Sequence, residues 1–239
     1  MSFYNHFFQK QTFYGDFLKK QRIKMELKRI KFFCDFNKKM NWLEIGPGKG
    51  DIMEHIINNY KNIEYHCIEP NKQICDYLNS ICKNVKNKFV PPVPYEDNYF
   101  DIVYLSNILE HLPDFKSEIA VIKEARRVLK HRGKIIINGP DLIHWRELFW
   151  DCDYTHNFPL PKRRLETLLE DNDFEIKHFN YFAGPFSGFV ATIFSCAAYF
   201  FINPLLFSYL TFKFVPSYKF YKLKLSSLRN VFFIAEKKK

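Results

Sequence analysis

Glycine is scarce in this chain, with 8 among 239 residues, yet three of the eight fall at Gly46, Gly48 and Gly50. Fibrous and low-complexity proteins are not built from so little glycine, so the local excess needs its own reason. Cysteine occurs six times, but never as C-x-x-C and with no regular spacing. That pattern gives no support to a disulfide framework or a zinc knuckle, and reduced core thiols of a cytosolic protein are expected. The opening MSFYNHFFQKQTFYGDF has neither an unbroken apolar run nor a small-residue cleavage site, so no secretory leader is expected. No internal repeat or low-complexity linker divides the chain. Acidic residues are in deficit, 26 against 36 basic ones, for a formal charge of +10. Such a balance suits nucleic acid or an anionic membrane face, and a lysine-rich solvated surface accounts for it equally well. Charge is missing altogether from Phe186 to Phe212.

What is present reads as alternating strands and helices. Residues 17–33 place Ile23, Leu27 and Ile30 at helical spacing among seven Lys and Arg, a basic amphipathic helix. It either contacts a membrane or covers the mouth of the first loop. MNWLEIG reads as a buried strand and DIMEHIINNY as a helix. NIEYHCIEP is a second strand, and KQICDYLNSICKNV a second helix aligned on Ile74, Leu78 and Ile81. YFDIVYLSNIL reads as a strand, SEIAVIKEARRVLK as a helix, and HRGKIIINGP as a glycine turn leading into another strand. Strand and helix alternate from 41 to 140 over short links, as in a parallel α/β sheet. Beyond 160 come a helix (PKRRLETLLEDNDF), a strand (FEIKHFNYF) and a terminal strand (NVFFIAEKKK).

The glycines sit where an open α/β sheet binds its ligand, at the carboxyl end of a strand. Their spacing is G-x-G-x-G, and Asp51 stands where a dinucleotide site would keep its third glycine. Glu44 and Asp51 would both repel a pyrophosphate and attract a cation. S-adenosylmethionine carries a sulfonium and an ammonium but no phosphate, so it matches this charge. Glu69, ending the second strand, is placed to accept both ribose hydroxyls.

With these residues the sequence resembles the class I S-adenosylmethionine-dependent methyltransferases. LEIGPGKG is similar to their first motif, and CIEP to the acidic end of their second strand. YFDIVYLSNILEHLPD resembles their central strand, and EARRVLKHRGKIIINGP the helix and strand that follow it. The resemblance implies a Rossmann-like, doubly wound, mostly parallel seven-stranded sheet with an apolar helical insertion before the last strand. It implies cofactor contacts from Glu44, Gly46, Pro47, Gly48, Gly50, Glu69, Pro70, Ser106 and Asn107. KFVPPVPYED departs from the family in lacking an acid at the place where relatives often bind the adenine amino group. On this reading residues 1–40 form a helical cap and 41–239 the methyltransferase domain, with 184–229 inserted. FWDCDYTHNFPLPKRRLETLLEDNDFEI further resembles methyltransferases of bacterial polysaccharide biosynthesis, with Tyr154 replacing a usual proline and Asp173 a usual glycine.

A hydroxyl acceptor gains from a base that titrates near neutrality. His111 and His156 are the candidates, with Tyr154 and Trp145 as a substrate wall and His55, His66 and His131 structural. Glu110 with His111 is similar to a metal-assisted pair of quinone methyltransferases. An additional acid of that site is replaced here by Asn107, so no metal is expected. The uncharged 186–212 run is interrupted by Asn203-Pro204. It is read either as an apolar lid or as a shallow membrane seat, with Lys213, Lys219, Lys222, Lys224 and Arg229 for anionic headgroups. The expectation is an O-methyltransferase for a glycan or lipid-linked intermediate, cytoplasmic and peripheral on the membrane's inner face. The alternatives are a quinone or other apolar small-molecule O-methyltransferase, or a non-catalytic cofactor-binding scaffold. Nucleic acid is disfavoured, because the strand through Ile137 ends NGPD and not in an amine-methylation motif.

Overall fold

The computed structural model describes residues 13–202 and 217–238. Helix α1 (Phe13–Phe33) buries Ile23, Leu27 and Ile30, the apolar stripe expected of it. Then follow β1 (Met40–Ile45), α2 (Asp51–Asn59), β2 (Ile63–Ile68), α3 (Lys72–Leu78) and β3 (Asn84–Lys86). Strand β4 (Phe100–Ser106) leads through a 3-10 turn at Leu109–His111 into α4 (Phe115–Val128) and β5 (Leu129–Pro140). Two one-turn helices, α5 (Leu142–Trp145) and α6 (Leu148–Asp151), precede α7 (Lys162–Glu170). The order closes with β6 (Phe174–Ala183), β7 (Phe186–Ser187), α8 (Gly188–Phe201), α9 (Ser217–Ser227) and β8 (Asn230–Lys237).

Among the described residues the strands form one eight-stranded sheet, β3-β2-β1-β4-β5-β8-β6-β7. From β3 through β5 neighbours are parallel, and β8 enters antiparallel between β5 and β6. Strand order reverses between β1 and β4, so the crevice beyond their carboxyl ends is the switch point where such sheets hold ligands. The eighth strand, beyond the seven expected, is β7, two residues that fold back on the end of β6. Two other expectations shift. The second helix stops at Leu78, and Asn84–Lys86 instead pairs with β2 as an edge strand. No turn separates helix from strand at 131–133; Leu129 already pairs with Phe100, and the extra residues are absorbed as a register shift in β5.

Both faces of the sheet are covered, which is why its strands read as apolar runs. One face (Trp42, Tyr65, Tyr104, Ile136, Phe232) packs under α1 and α2; the other (Leu43, Val103, Leu105, Ile137, Phe233) packs under α4 and α7. Helix α4 is started by Asp114, whose Oδ1 accepts the Ser117 N–H at 2.7 Å, and it buries Val121, Ile122, Ala125 and Val128. Its buried Glu118 is paired at 2.6 Å with Arg164 of α7. Glu26 of α1, also buried, accepts the Tyr104 hydroxyl at 2.8 Å, and Lys19 pairs with Asp51. These two contacts lay α1 across the sheet as far as the start of α2, directly after the glycine loop.

Candidate active site

The glycine loop leaves β1 through left-handed backbone, with φ of +67° at Gly46, +54° at Gly48 and +74° at Gly50. A Cβ on Gly46 would lie 2.0 Å from Ile108 Cδ1, so bare backbone there lets the segment after β4 close against the loop. At Gly50 a Cβ would meet Met53 and Leu78. The atoms met are ends of side chains that can shift, so the left-handed backbone at both positions is what favours glycine. The Gly50 N–H bonds the Pro47 carbonyl at 2.9 Å and closes the turn.

Glu44 lies buried beneath this loop and accepts the Tyr65 hydroxyl. Burial pushes its carboxyl up to about 8; the Tyr65 bond works in the opposite direction, and Asp51 and Glu69 add to the rise. Glu69 is held at the end of β2 by the Asn71 N–H at 3.0 Å and by the Gly48 amide, and burial raises it also. The Pro70 carbonyl accepts the Asn87 side chain at 2.9 Å. Ser106, at the end of β4, accepts the Asn138 amide at 3.0 Å, and the Asn107 N–H bonds the Asn138 carbonyl at 2.9 Å. All of these groups stand at carboxyl ends of parallel strands, beside the switch point. A site in which carboxyls are forced towards neutrality penalises an anion and rewards a cation.

A second cluster forms beyond β4. His111, from the 3-10 turn, and His156, from the loop after α6, have ring centroids 4.7 Å apart. His111 Nδ1 contacts Thr155 Oγ1 at 2.8 Å, and that hydroxyl donates to Asp153 Oδ1 at 2.6 Å. Since the one hydroxyl proton is spent on Asp153, Thr155 accepts from His111 Nδ1–H. His156 Nδ1 faces the Phe149 carbonyl, which can only accept. Both rings are thereby fixed in the tautomer with a lone pair on Nε2. Burial, aided by the neighbouring His156, lowers His111 to about 4, and burial lowers His156 as well. Glu110, beside them, is pushed up to about 8 by burial, and its Oε1 has no hydrogen-bond partner.

The substrate-wall residues are placed differently from the histidines. Trp145 donates its indole N–H to the Arg229 carbonyl at 2.9 Å, and the Tyr154 ring is 76% exposed. His66 is buried against Tyr95, Tyr99 and Phe100. Arg229 corrects an expectation: it is not free for headgroups. It is 6% exposed, paired to buried Asp141 through Nε at 2.7 Å, bonded to Thr192 at 2.8 Å, and its guanidinium lies 3.6 Å from the Tyr181 ring centre. Lys224 lies over the Tyr199 ring at 4.3 Å. Residues 203–216, and with them Lys213 and the end of the uncharged run, lie outside the described residues, as does the Lys219 side chain.

Helix α8 turns the small residues Ala191, Ser195 and Ala198 inward, and Ser195 contacts His144 at 3.2 Å. Its outer side exposes Phe189, Val190, Ile193, Phe200 and Phe201. Among the described residues no helix is long and apolar enough to cross a membrane.

Sequence reasoning missed Tyr65, Thr155 as the link between His111 and Asp153, and the Arg229–Asp141 pair. Tyr65 carried one usable signal, since it shares a strand face with Cys67, the register partner of Glu44.

A family model described as a methyltransferase domain matches residues 17–178. An uncharacterized protein of Methanocaldococcus jannaschii is 37% identical over 79 residues, a stretch spanning 32% of this chain and 31% of that protein. Among solved structures, a SAM-dependent methyltransferase from Methanosarcina mazei is similar with a TM-score of 0.61 at 17% identity, covering 88% of this chain and 97% of that one. A phosphoethanolamine N-methyltransferase from Haemonchus contortus, in complex with phosphomonomethylethanolamine and S-adenosylhomocysteine, gives 0.62 at 17% identity, covering 90% of this chain and 53% of that one. At such identities the structural likeness establishes a Rossmann-like methyltransferase fold and leaves function to the site.

Proposed function

The chain belongs to the methyltransferase domain family, and on that premise we propose that it moves a methyl group from S-adenosylmethionine to a hydroxyl of a glycan or lipid-linked intermediate at a membrane surface. The observation that carries the donor assignment is Glu44, a carboxyl buried under the glycine loop and pushed up to about 8. A cation beside it recovers the ionised form, whereas a pyrophosphate would add a second unfavourable charge. The donor supplies a methyl group already activated on a sulfonium, so the protein's main work is alignment, worth about 7–11 kcal/mol in favourable cases. Glu69, fixed by two backbone amides, presents its carboxylate to paired ribose hydroxyls. Ser106 and Asn107 line the β4 side of the crevice.

On the acceptor side His111 and His156 present neutral imidazoles. A lone pair on Nε2 can take the hydroxyl proton as the new carbon–oxygen bond forms, and Asp153, through Thr155, steadies the charge left on His111. The membrane-surface part rests on the exposed aromatic side of α8 and on Lys20, Lys24, Lys28 and Lys31, a basic stripe along α1. We place the protein on the cytoplasmic side, seated peripherally by α8 and the residues after it. A quinone or other apolar small molecule is the second reading, favoured by the exposed apolar side of α8.

Calorimetry with S-adenosylmethionine, S-adenosylhomocysteine, NADH and ATP tests the donor; binding only to the nicotinamide or adenine nucleotide overturns it. Radiolabelled methyl donor added with cell extract tests the acceptor, with label expected in the lipid or glycan fraction. Label in apolar small molecules would favour the second reading, and label in nucleic acid would defeat both. Donor binding with no label transferred to any fraction would point to a scaffold.

A further inference from the structure

Glu110, His111 and His156 each offer one ligating atom, and these atoms lie within 4.8 Å of one another. They come from two separate segments, the turn after β4 and the loop after α6, which are tied together by backbone. The Asn157 N–H bonds the Glu110 carbonyl at 2.8 Å. Two features single the trio out from an ordinary polar cluster. The first is the histidine tautomers: each Nδ1–H is already committed, to Thr155 in one ring and to the Phe149 carbonyl in the other, which leaves Nε2 of each ring available. Outer hydrogen bonds of this kind, to a carbonyl or towards a carboxylate, orient metal-bound histidines. The second is Glu110, 2% exposed, whose Oε1 has no hydrogen-bond partner although a buried carboxyl oxygen normally has one.

We propose that Nε2 of His111, Nε2 of His156 and the Glu110 carboxylate form a binding site for one divalent transition-metal ion. Two imidazole nitrogens and one carboxylate suit Zn²⁺, Mn²⁺ or Fe²⁺ better than Mg²⁺, which prefers an all-oxygen shell. Ligand atoms on a tetrahedral ion with bonds of about 2.1 Å stand roughly 3.4 Å apart, so side-chain adjustment brings the trio together on loading. Three protein ligands leave a coordination position open, on the side where the acceptor hydroxyl is proposed to lie. The site goes beyond the proposed transfer, since displacement at a sulfonium does not itself need an ion. An ion there would engage the lone pairs otherwise available for proton removal.

The test uses the full chain, stripped with chelator and titrated with Co²⁺, reading visible d–d absorption and metal content after gel filtration. One Co²⁺ per chain is expected, displaced by Zn²⁺ and not by equimolar Mg²⁺. His156→Gln and Glu110→Gln are expected to lose at least about 100-fold in affinity, and Thr155→Val, which keeps every ligand, about tenfold. The exposed His131→Gln should bind as the parent does. Circular dichroism checks each variant; should His156→Gln fail to fold, Glu110→Gln and Thr155→Val still decide. Absence of bound Co²⁺ and Zn²⁺ from the parent, Mg²⁺ competing as an equal, or unchanged affinity in the folded ligand variants would overturn the site. None of these readouts requires the methyl donor, so failure here leaves the donor reading standing, and the reverse.

Discussion

The two ends of the crevice are made in different ways. The proposed donor end is short-range: Glu44, the glycine loop and Glu69 lie within 26 positions of sequence, Glu44 to Glu69 inclusive, and most of their geometry is backbone. The proposed acceptor end is long-range: His111 reaches Thr155 across 44 positions, and α8 is tied to Arg229, just before β8, and to α5 by side chains. Backbone at strand ends comes with the fold, whereas contacts between distant loops can be exchanged without disturbing the sheet. The comparison teaches that the proposed donor end is set by the sheet's own backbone, and the proposed acceptor end by side chains that meet only when distant loops return.

Substitutions can break or sharpen this division. The largest effect is expected from His111→Gln, which should lower kcat by about 10²–10⁴-fold and leave donor affinity by calorimetry within roughly twofold. A matching loss of donor affinity would mean the two ends are not separable. Next comes Gly46→Ala. The positive φ, with Ile108 having to shift its terminal methyl, predicts about 1–3 kcal/mol of lost stability in denaturant unfolding. Glu69→Gln should weaken donor binding by roughly 10–100-fold, the scale of a hydrogen bond to a charged group, with Co²⁺ binding at the acceptor end unchanged.

A further effect is in pH dependence. Glu44 and Glu110 hold their protons up to about 8 in the folded chain, against an ordinary value of 4.5. Between those limits the unfolded chain has released protons that the folded chain retains. Stability should therefore fall as pH rises from about 4.5 to 8 and level off above, at no more than about 1.4 kcal/mol per pH unit for each group. Glu44→Gln and Glu110→Gln should each flatten that slope in thermal unfolding. A slope that persists in both variants would mean that other groups carry it. Because the donor reading needs Glu44 ionised, donor binding below pH 8 should release close to one proton, measurable by calorimetry in buffers of different ionisation enthalpy.

This division also explains what the sequence made legible. Strands β1, β2 and β4 were readable because each is an apolar run closed by glycine, acid or serine at the ligand end. The seven-strand expectation fell one short because β7 is a two-residue strand, and β3, only three residues long, was read as the tail of a helix; neither is long enough to show a period. Glu44 could be identified as an acid beside a loop, but its raised pKa could not, since that comes from burial under α1 and α2, which outweighs the opposing bond from Tyr65 on the next strand. His111 and His156 could each be proposed singly. Their approach to 4.7 Å depends on where the loop after α6 returns, which no local pattern encodes. Arg229 was misread because a lone arginine among lysines looks like surface, whereas its partner Asp141 stands 88 positions earlier.

That arginine constrains how molecules arrive at the acceptor end. From its place just before β8 its side chain bonds Thr192 on α8, and its backbone N–H reaches Ser195 one turn farther along. Swinging the helix outward would take Thr192 and Ser195 away from a buried guanidinium and a buried backbone N–H, at a cost of roughly 1–3 kcal/mol each. Helix α8 is therefore a fixed quay and not a swinging door. An acceptor of the proposed membrane-borne kind would berth along a rigid apolar edge presented by Phe189, Ile193 and Phe200.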